Sequence, residues 1–268
     1  MFKPSERAGS QADGVAQNNR DETRWLARTP TADYDNPAIE ELVEARKWRS
    51  LTKYERIGAT YDFVKDEIAF GYNSSDDLPA SAVLADGYGQ CNTKGNLLVA
   101  LLRSVGVPAR FHGFTIDKSL QKGAIPSWLY PLAPSRILHS WVEVSWDGEW
   151  VPLEGFILDG DYLRALQERF PDAKAFCGYG AATTDLQNPP VEWRGRPTFI
   201  QKDGIAEDFG VFDDPDGLYE AKGTNLSGVR RFLYVNVFRH AMNATVARTR
   251  RSWSQSPGPS CEAVRQSN

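Results

Sequence analysis

Cys91, His139 and Glu154 are the residues whose types and spacing could combine into a nucleophile, a base and an orienting carboxylate. Cys91 directly precedes an apolar run that begins at Leu97, which places its sulfur at the N-terminus of a helix. Unpaired backbone N–H groups there stabilise an anion and favour the thiolate. The same groups could hold the oxyanion of a tetrahedral intermediate. Gly87 and Gly89 beside it let a substrate backbone come close. An imidazole such as His139 is suited to move protons near neutral pH. Glu154 follows across an Asp147-Gly148 turn, and a hairpin would bring it beside residue 139, where a carboxylate fixes the tautomer and stabilises the imidazolium. Each residue alone has an ordinary explanation: a small buried hydrophobe, a capping histidine, a solvated strand-end glutamate. The joint arrangement is more specific than its members.

The elements that must position these residues can be read around them. Asn36-Pro37 reads as a helix start, with Ile39, Leu42 and Val43 on one face. Thr52 and Glu55 form a capping box, and Tyr54, Ile57, Tyr61, Val64 and Ile68 then predict an amphipathic helix ending near Gly71. The turn 86–91 leads into a helix buried on one side through Leu97, Leu98, Leu101 and Leu102, with Gly106 and Pro108 as stop signals. Residues 109–116 suit a strand, 117–137 an inserted loop, and His139 opens a second strand. Trp150, Val151 and Leu153 give the return strand, and a short helix follows at about 161–170. Residues 171–226, rich in Gly, Pro and Asp, give no assignment. Residues 228–251 predict a helix with Val229, Phe232, Leu233, Val237 and Ala241 on its apolar face and Arg248, Arg250 and Arg251 at its C-terminal end. Residues 1–35 read as a surface-draped arm in which Trp25 and Leu26 could dock, 36–170 as the core, 171–251 as a C-terminal extension, and 252–268 as a disordered tail.

Composition narrows the function classes. The chain of 268 residues is 41% hydrophobic and 25% charged, as globular proteins are. No run of eighteen apolar residues is present, so no membrane helix is expected. With 31 Lys and Arg against 35 Asp and Glu, the net charge of -4 argues against a nucleic-acid partner. Three cysteines (Cys91, Cys177, Cys261) and no Cys-x-x-Cys pair argue against a disulfide scaffold and a cysteine-rich zinc site. No cofactor or metal is expected. The N-terminus has no apolar leader-like segment, and the expected location is cytoplasmic. The sequence carries no signal for oligomeric state.

Gly89-Gln90-Cys91 followed by the 97–110 segment, then His139-Ser140-Trp141-Val142-Glu143-Val144, then Gly148-Glu149-Trp150 and Glu154, resembles the transglutaminase-like superfamily over about residues 50–165. The resemblance implies an α+β, papain-like core, with the cysteine on a helix packed against an antiparallel sheet and helical extensions at both ends. It also implies a Cys-His-Asp triad in which Cys91 is the nucleophile, His139 the base, and Glu154 stands at the aspartate position. Glutamate is one methylene longer than the family residue, and Asp159 and Asp161 remain alternatives. Asn92 also departs from the tryptophan of animal transglutaminases. Neither their calcium loop nor the zinc cysteines of peptide N-glycanases are present, which leaves a small, stand-alone, microbial-type member.

Further residues are candidates for the cleft. Gln90 could donate to an oxyanion, and Tyr88, Asn92 and Trp141 could wall the site. Trp128 and Tyr130 of the 117–137 insertion could touch substrate. His112 and His240 read as structural, and Cys177 and Cys261 as incidental. The function expected is a cysteine-dependent amidase or peptidase working through a thioester on an amide- or peptide-containing substrate. The alternatives are an acyl transferase to an amine and a non-catalytic binding protein on the same core.

Overall fold

The computed structural model describes residues 23–225 and 228–251. Most of the expected arm, the expected tail and Cys261 lie outside the described residues.

The helical half is built first. Asn36 caps α1 (Pro37–Ala45) by accepting the Ala38 N–H, and the Thr52–Glu55 capping box starts α2 (Lys53–Asp62). Helix α2 runs into a five-residue π-helical segment, Phe63–Glu67, and then a two-residue strand β1 (Ala69–Phe70). After α3 (Ala80–Asp86), Gly87 reverses the chain at φ 68° into β2 (Tyr88–Gly89), which pairs in parallel with β1. Helix α4 (Cys91–Ser104) begins at once.

The other half is an antiparallel sheet of four strands whose order is β5 (Glu149–Leu153), β4 (Arg136–Trp146), β3 (Ala109–Asp117) and β8 (Ile205–Phe212). Strand β3 (Ala109–Asp117) pairs with β4 (Arg136–Trp146), and β4 with β5 (Glu149–Leu153), through a turn with positive φ at both Asp147 and Gly148. That is the primed hairpin geometry the Asp-Gly pair favours. Helix α5 (Gly160–Arg169) follows, capped by Asp159.

The segment without a sequence assignment contains a small hairpin, β6 (Phe176–Gly178) and β7 (Ala181–Thr183). It also supplies the outer sheet strand β8 (Ile205–Phe212) and helix α6 (Pro215–Lys222).

Helix α4 is buried on all sides rather than one. From Cys91 to Arg103 each of its residues is buried. Its apolar half, Leu97 to Leu102, packs against β3, β4 and the surrounding helices, so it is the central helix of the core. Its polar half is buried too, and each side chain there has work. Thr93 Oγ1 donates to Asn73 Oδ1 at 2.6 Å. Lys94 Nζ donates to the carbonyls of Lys65 and Ile157, and Asn96 Nδ2 to those of Asp76 and Leu78. These bonds fix the helix that carries Cys91 to three separate stretches of chain, at Lys65, residues 73–78 and Ile157.

The last helix differs from its sequence reading. It is divided into α7 (Gly228–Leu233), a π-helical segment Tyr234–Phe238, and α8 (Arg239–Arg250). The π segment contains an extra residue in its turn and rotates the face that follows. After it Met242, Val246 and Thr249 are buried, whereas Phe232 and Leu233 before it and Val237 within it are exposed. His240, read as a core histidine, is exposed. Arg250 pairs with Asp159 and so ties α8 to α5. At the other end, Trp25 packs edge-on against Trp150 with ring centres 4.7 Å apart, and its Nε1 donates to Asp213.

Candidate active site

Cys91 is the first residue of α4, so its own N–H and that of Asn92 fall in the first turn, where a helix offers no internal acceptor. The approach to this point is tightly built. Gln90 N–H donates to Thr93 Oγ1 at 3.0 Å. A Cβ on Gly89 would come within 2.8 Å of Thr93 Oγ1 and of Lys94 Cγ, so no larger residue fits there.

His139 sits inside β4 rather than opening it, opposite Phe114 of β3, and is fully buried. Its Nε2 donates to Glu154 Oε1 at 2.8 Å. Glu154, also fully buried, follows β5 directly, so the hairpin brings residues 139 and 154 together as the sequence spacing implied. The other carboxylate oxygen, Oε2, accepts the backbone N–H groups of Ile200, Gln201 and Lys202 at 2.9, 2.9 and 3.0 Å. Thr198 completes this cradle: its carbonyl accepts the Glu154 N–H at 3.0 Å. A buried carboxylate held by one imidazole and three amides needs no cation beside it.

Because Nε2 is committed to Glu154, Nδ1 is the ring nitrogen left to interact with the neighbouring Cys91 sulfur. Burial pushes the His139 pKa down, but the neighbouring Cys91 sulfur and Glu154 outweigh it and raise it to about 9. Cys91, His139 and Glu154 thus lie in one interacting line. Asp159 and Asp161 do not belong to it. Asp159 caps α5 and pairs with Arg250, and Asp161 is exposed beside Arg164.

Asn92 is the second organising residue. Its Nδ2 donates to Leu138 O at 3.1 Å and to Asp76 Oδ1 at 3.0 Å, and its Oδ1 accepts from Ser140 Oγ at 2.8 Å. Leu138 and Ser140 flank His139, so one side chain holds the strand on both sides of the histidine. Asp76 was not singled out in the sequence. It accepts from Gln90 Nε2, Asn92 Nδ2 and both nitrogens of Asn225, and it is buried.

A cavity of about 570 Å³ opens beside Cys91. Gln90, Asp76, Gln201 and Asn225 line it near the thiol. Its larger walls come from the 117–137 insertion, through residues such as Leu129 and Ile137, and from the α7–α8 region, through Tyr234, Phe238 and Met242. Other candidates lie away from it. Trp141 does not line the cavity but packs on Phe114 and Phe199, and Tyr88 accepts a hydrogen bond from Arg239. Trp128 and Tyr130 of the insertion also lie outside the lining, although Leu129, between them, belongs to it. His112 bonds Glu143 and Asp208 at 2.8 Å each on β3, as a structural histidine would. Buried Cys177 lies 3.6 Å from Ser119 Oγ.

Among the described residues, no group of three or more His, Cys, Asp or Glu is placed to hold a metal ion. No helix among them is long and apolar enough to cross a membrane.

Residues 43–155 match the family model of the transglutaminase-like superfamily, and this stretch is a domain of that superfamily. The match runs from the end of α1 to just past β5 and includes Cys91, His139 and Glu154. At the family level it supports a cysteine-dependent hydrolase or transferase. A solved structure titled as a "Putative Cysteine Protease" from Cytophaga hutchinsonii is similar to this chain at 14% identity, with a TM-score of 0.42 over 78% of this chain. The chain covers 51% of that protein, about half its length. No curated protein matches the chain in sequence.

Proposed function

We propose that the protein is a cysteine-dependent amide hydrolase that works through a thioester. The observation that carries this reading is the buried group Cys91, His139 and Glu154, in which Nε2 of the imidazole is fixed by Glu154 and the Cys91 sulfur neighbours the ring.

In this mechanism His139 and Cys91 share the proton so that a thiolate and an imidazolium face one another. The sulfur attacks the amide carbonyl carbon and the π electrons move to oxygen. The N–H groups in the first turn of α4 receive that oxyanion. As the intermediate collapses, the C–N bond breaks and imidazolium Nδ1–H gives its proton to the departing amine. Neutral His139 then takes a proton from water as the water attacks the thioester. The C–S bond breaks, the acid leaves and the pair is restored. Glu154 holds the imidazole in the tautomer this requires.

Water is favoured over an amine as the acceptor by the composition of the cavity. Asp76 is the only carboxylate among the described residues that line it, and hydrogen bonds to three residues already occupy it. No free anion is left there to hold an incoming ammonium group.

The test is to incubate the enzyme with small acyl amides and follow amine release, with hydroxylamine added to trap the acyl-enzyme. The expected result is release that depends on Cys91, diversion to hydroxamate, and loss of both in Cys91→Ala. Release that persists in Cys91→Ala would overturn the reading.

A further inference from the structure

We propose that the cavity beside Cys91 is the acyl site for substrates whose acyl part is a large apolar group; this deepens the amide-hydrolase reading and rests on it. The volume, about 570 Å³, is that of a site for a sizeable organic group and far exceeds the needs of an acetyl. Most of its lining is apolar, with Leu129, Ile137, Phe238 and Met242 among the larger side chains, and its polar members, such as Ser75, Gln121 and Thr224, are uncharged apart from Asp76 and Arg231.

No unpartnered charge among the described residues faces the interior. Among the described lining residues, the only carboxylate is Asp76, which its neighbours occupy, and the only cation is Arg231, which is exposed. A charged acyl group would therefore lose its hydration without gaining a partner, whereas an apolar one would lose only unfavourable contact with water.

The apolar wall also continues outwards. Leu132 and Leu233 both line the cavity and are 67% and 40% exposed, so an apolar chain has a surface along which to enter. These two residues come from the insertion and from α7. The insertion also meets the π-helical segment that follows α7, where Trp128 packs edge-on against Phe238 with ring centres 5.9 Å apart. The walls are thus supplied by the insertion inside the transglutaminase-like domain and by a C-terminal segment outside it. Substrate choice resides in these two segments, and the chemistry in the domain.

Two probe series test this. The first is coumarin amides of straight-chain acids from acetyl to decanoyl, with ω-carboxylated acyl groups of matched length. The expected kcat/KM rises about fourfold per methylene until the cavity is filled. The ω-carboxylates should fall at least a hundredfold below their neutral counterparts. Met242→Trp, which fills the cavity, and Leu233→Glu, which alters only its exposed mouth, should each lower the octanoyl-to-acetyl ratio at least tenfold. The second series is alkyl methanethiosulfonates, which report the labelling rate of Cys91 without any amide cleavage. It should show the same rise with chain length. A flat response in both series, or equal rates for neutral and ω-carboxylated acyl groups, would overturn the apolar acyl site. Chain-length preference in labelling, with no amide cleaved at any length, would instead overturn the hydrolase reading and leave the apolar site standing.

Discussion

Ser140 donates its hydroxyl to Asn92 Oδ1 at 2.8 Å, so the residue after the histidine is tied to the residue after the cysteine. The link joins the strand and the helix at the one place where their relative position sets the sulfur–imidazole geometry. Asn92 reinforces it through Leu138 O, the residue before the histidine.

Replacing Asn92 with Ala would leave Leu138 O and Asp76 Oδ1 each short of a buried donor. The expected cost is about 2–4 kcal/mol of folding stability. Ser140→Ala removes one neutral hydrogen bond and should cost only about 1 kcal/mol. In Ser140→Ala the rate of Cys91 alkylation should still fall several-fold, because the strand gains freedom at His139. Urea denaturation and alkylation rates, measured on both variants, check this. Stability loss with no change in alkylation would reduce Asn92 and Ser140 to packing.

Glu154→Gln tests the carboxylate more sharply than a truncation. Oε2 of the native residue accepts three backbone N–H groups, so an amide in its place must turn its oxygen to them. Its NH2 then faces His139 Nε2, which becomes the acceptor, and the ring proton moves to Nδ1. That tautomer cannot take a proton from Cys91. The expected loss of amide turnover is on the order of 10³–10⁴, comparable with the effect of fixing the wrong tautomer in a serine protease. Retention of the wild-type rate would remove Glu154 from the triad.

The pH dependence should separate two reactions of the same thiol. The pKa of His139 is raised to about 9, so the imidazolium that must protonate a leaving amine persists below that pH and disappears above it. Amide turnover is therefore expected to fall above about pH 9. Alkylation of Cys91 needs no proton donor and should not fall there. Parallel pH profiles for the two reactions check this, and a shared decline would deny His139 the role of acid.

How much of this was legible in the sequence depends on where each contact lies along the chain. Cys91, His139 and Glu154 could be read because a helix start and a two-residue hairpin are local signals that fix neighbours over short distances. The Thr198–Lys202 cradle could not. It lies more than forty positions from Glu154 and works through backbone N–H groups, which carry no side-chain signature. Asp76 sits in a Ser-Ser-Asp-Asp run that reads as an ordinary turn, and its four donors come from residues 90, 92 and 225. The apolar face of the last helix is not legible as one stripe, because an unbroken 3.6-residue count runs across the π segment at Tyr234–Phe238, and Phe232 and Leu233 ahead of it are apolar yet exposed. Trp141 was placed in the cleft by its closeness to His139. It instead packs among Phe114 and Phe199 and hydrogen-bonds Glu143.

Lys94, three residues beyond Cys91, gives the clearest prediction for stability. It is fully buried, and burial lowers its pKa from 10.5 to about 7 despite the attraction of Asp159 and Asp66. The unfolded chain keeps that proton up to pH 10.5, whereas the folded protein releases it above about 7. Between these limits the unfolded state holds more protons, so Lys94 destabilises the fold less as the pH rises. Lys94→Met removes this dependence but also leaves the carbonyls of Lys65 and Ile157 without a donor. The difference in unfolding free energy between wild type and Lys94→Met should therefore move towards wild type by up to about 1.4 kcal/mol per pH unit between pH 7 and 10. Urea unfolding of the two proteins at several pH values measures it directly. A constant difference across that range would mean that Lys94 stays charged inside the fold, with its two carbonyl partners and the nearby carboxylates sufficient to hold an ammonium against the helix that carries Cys91.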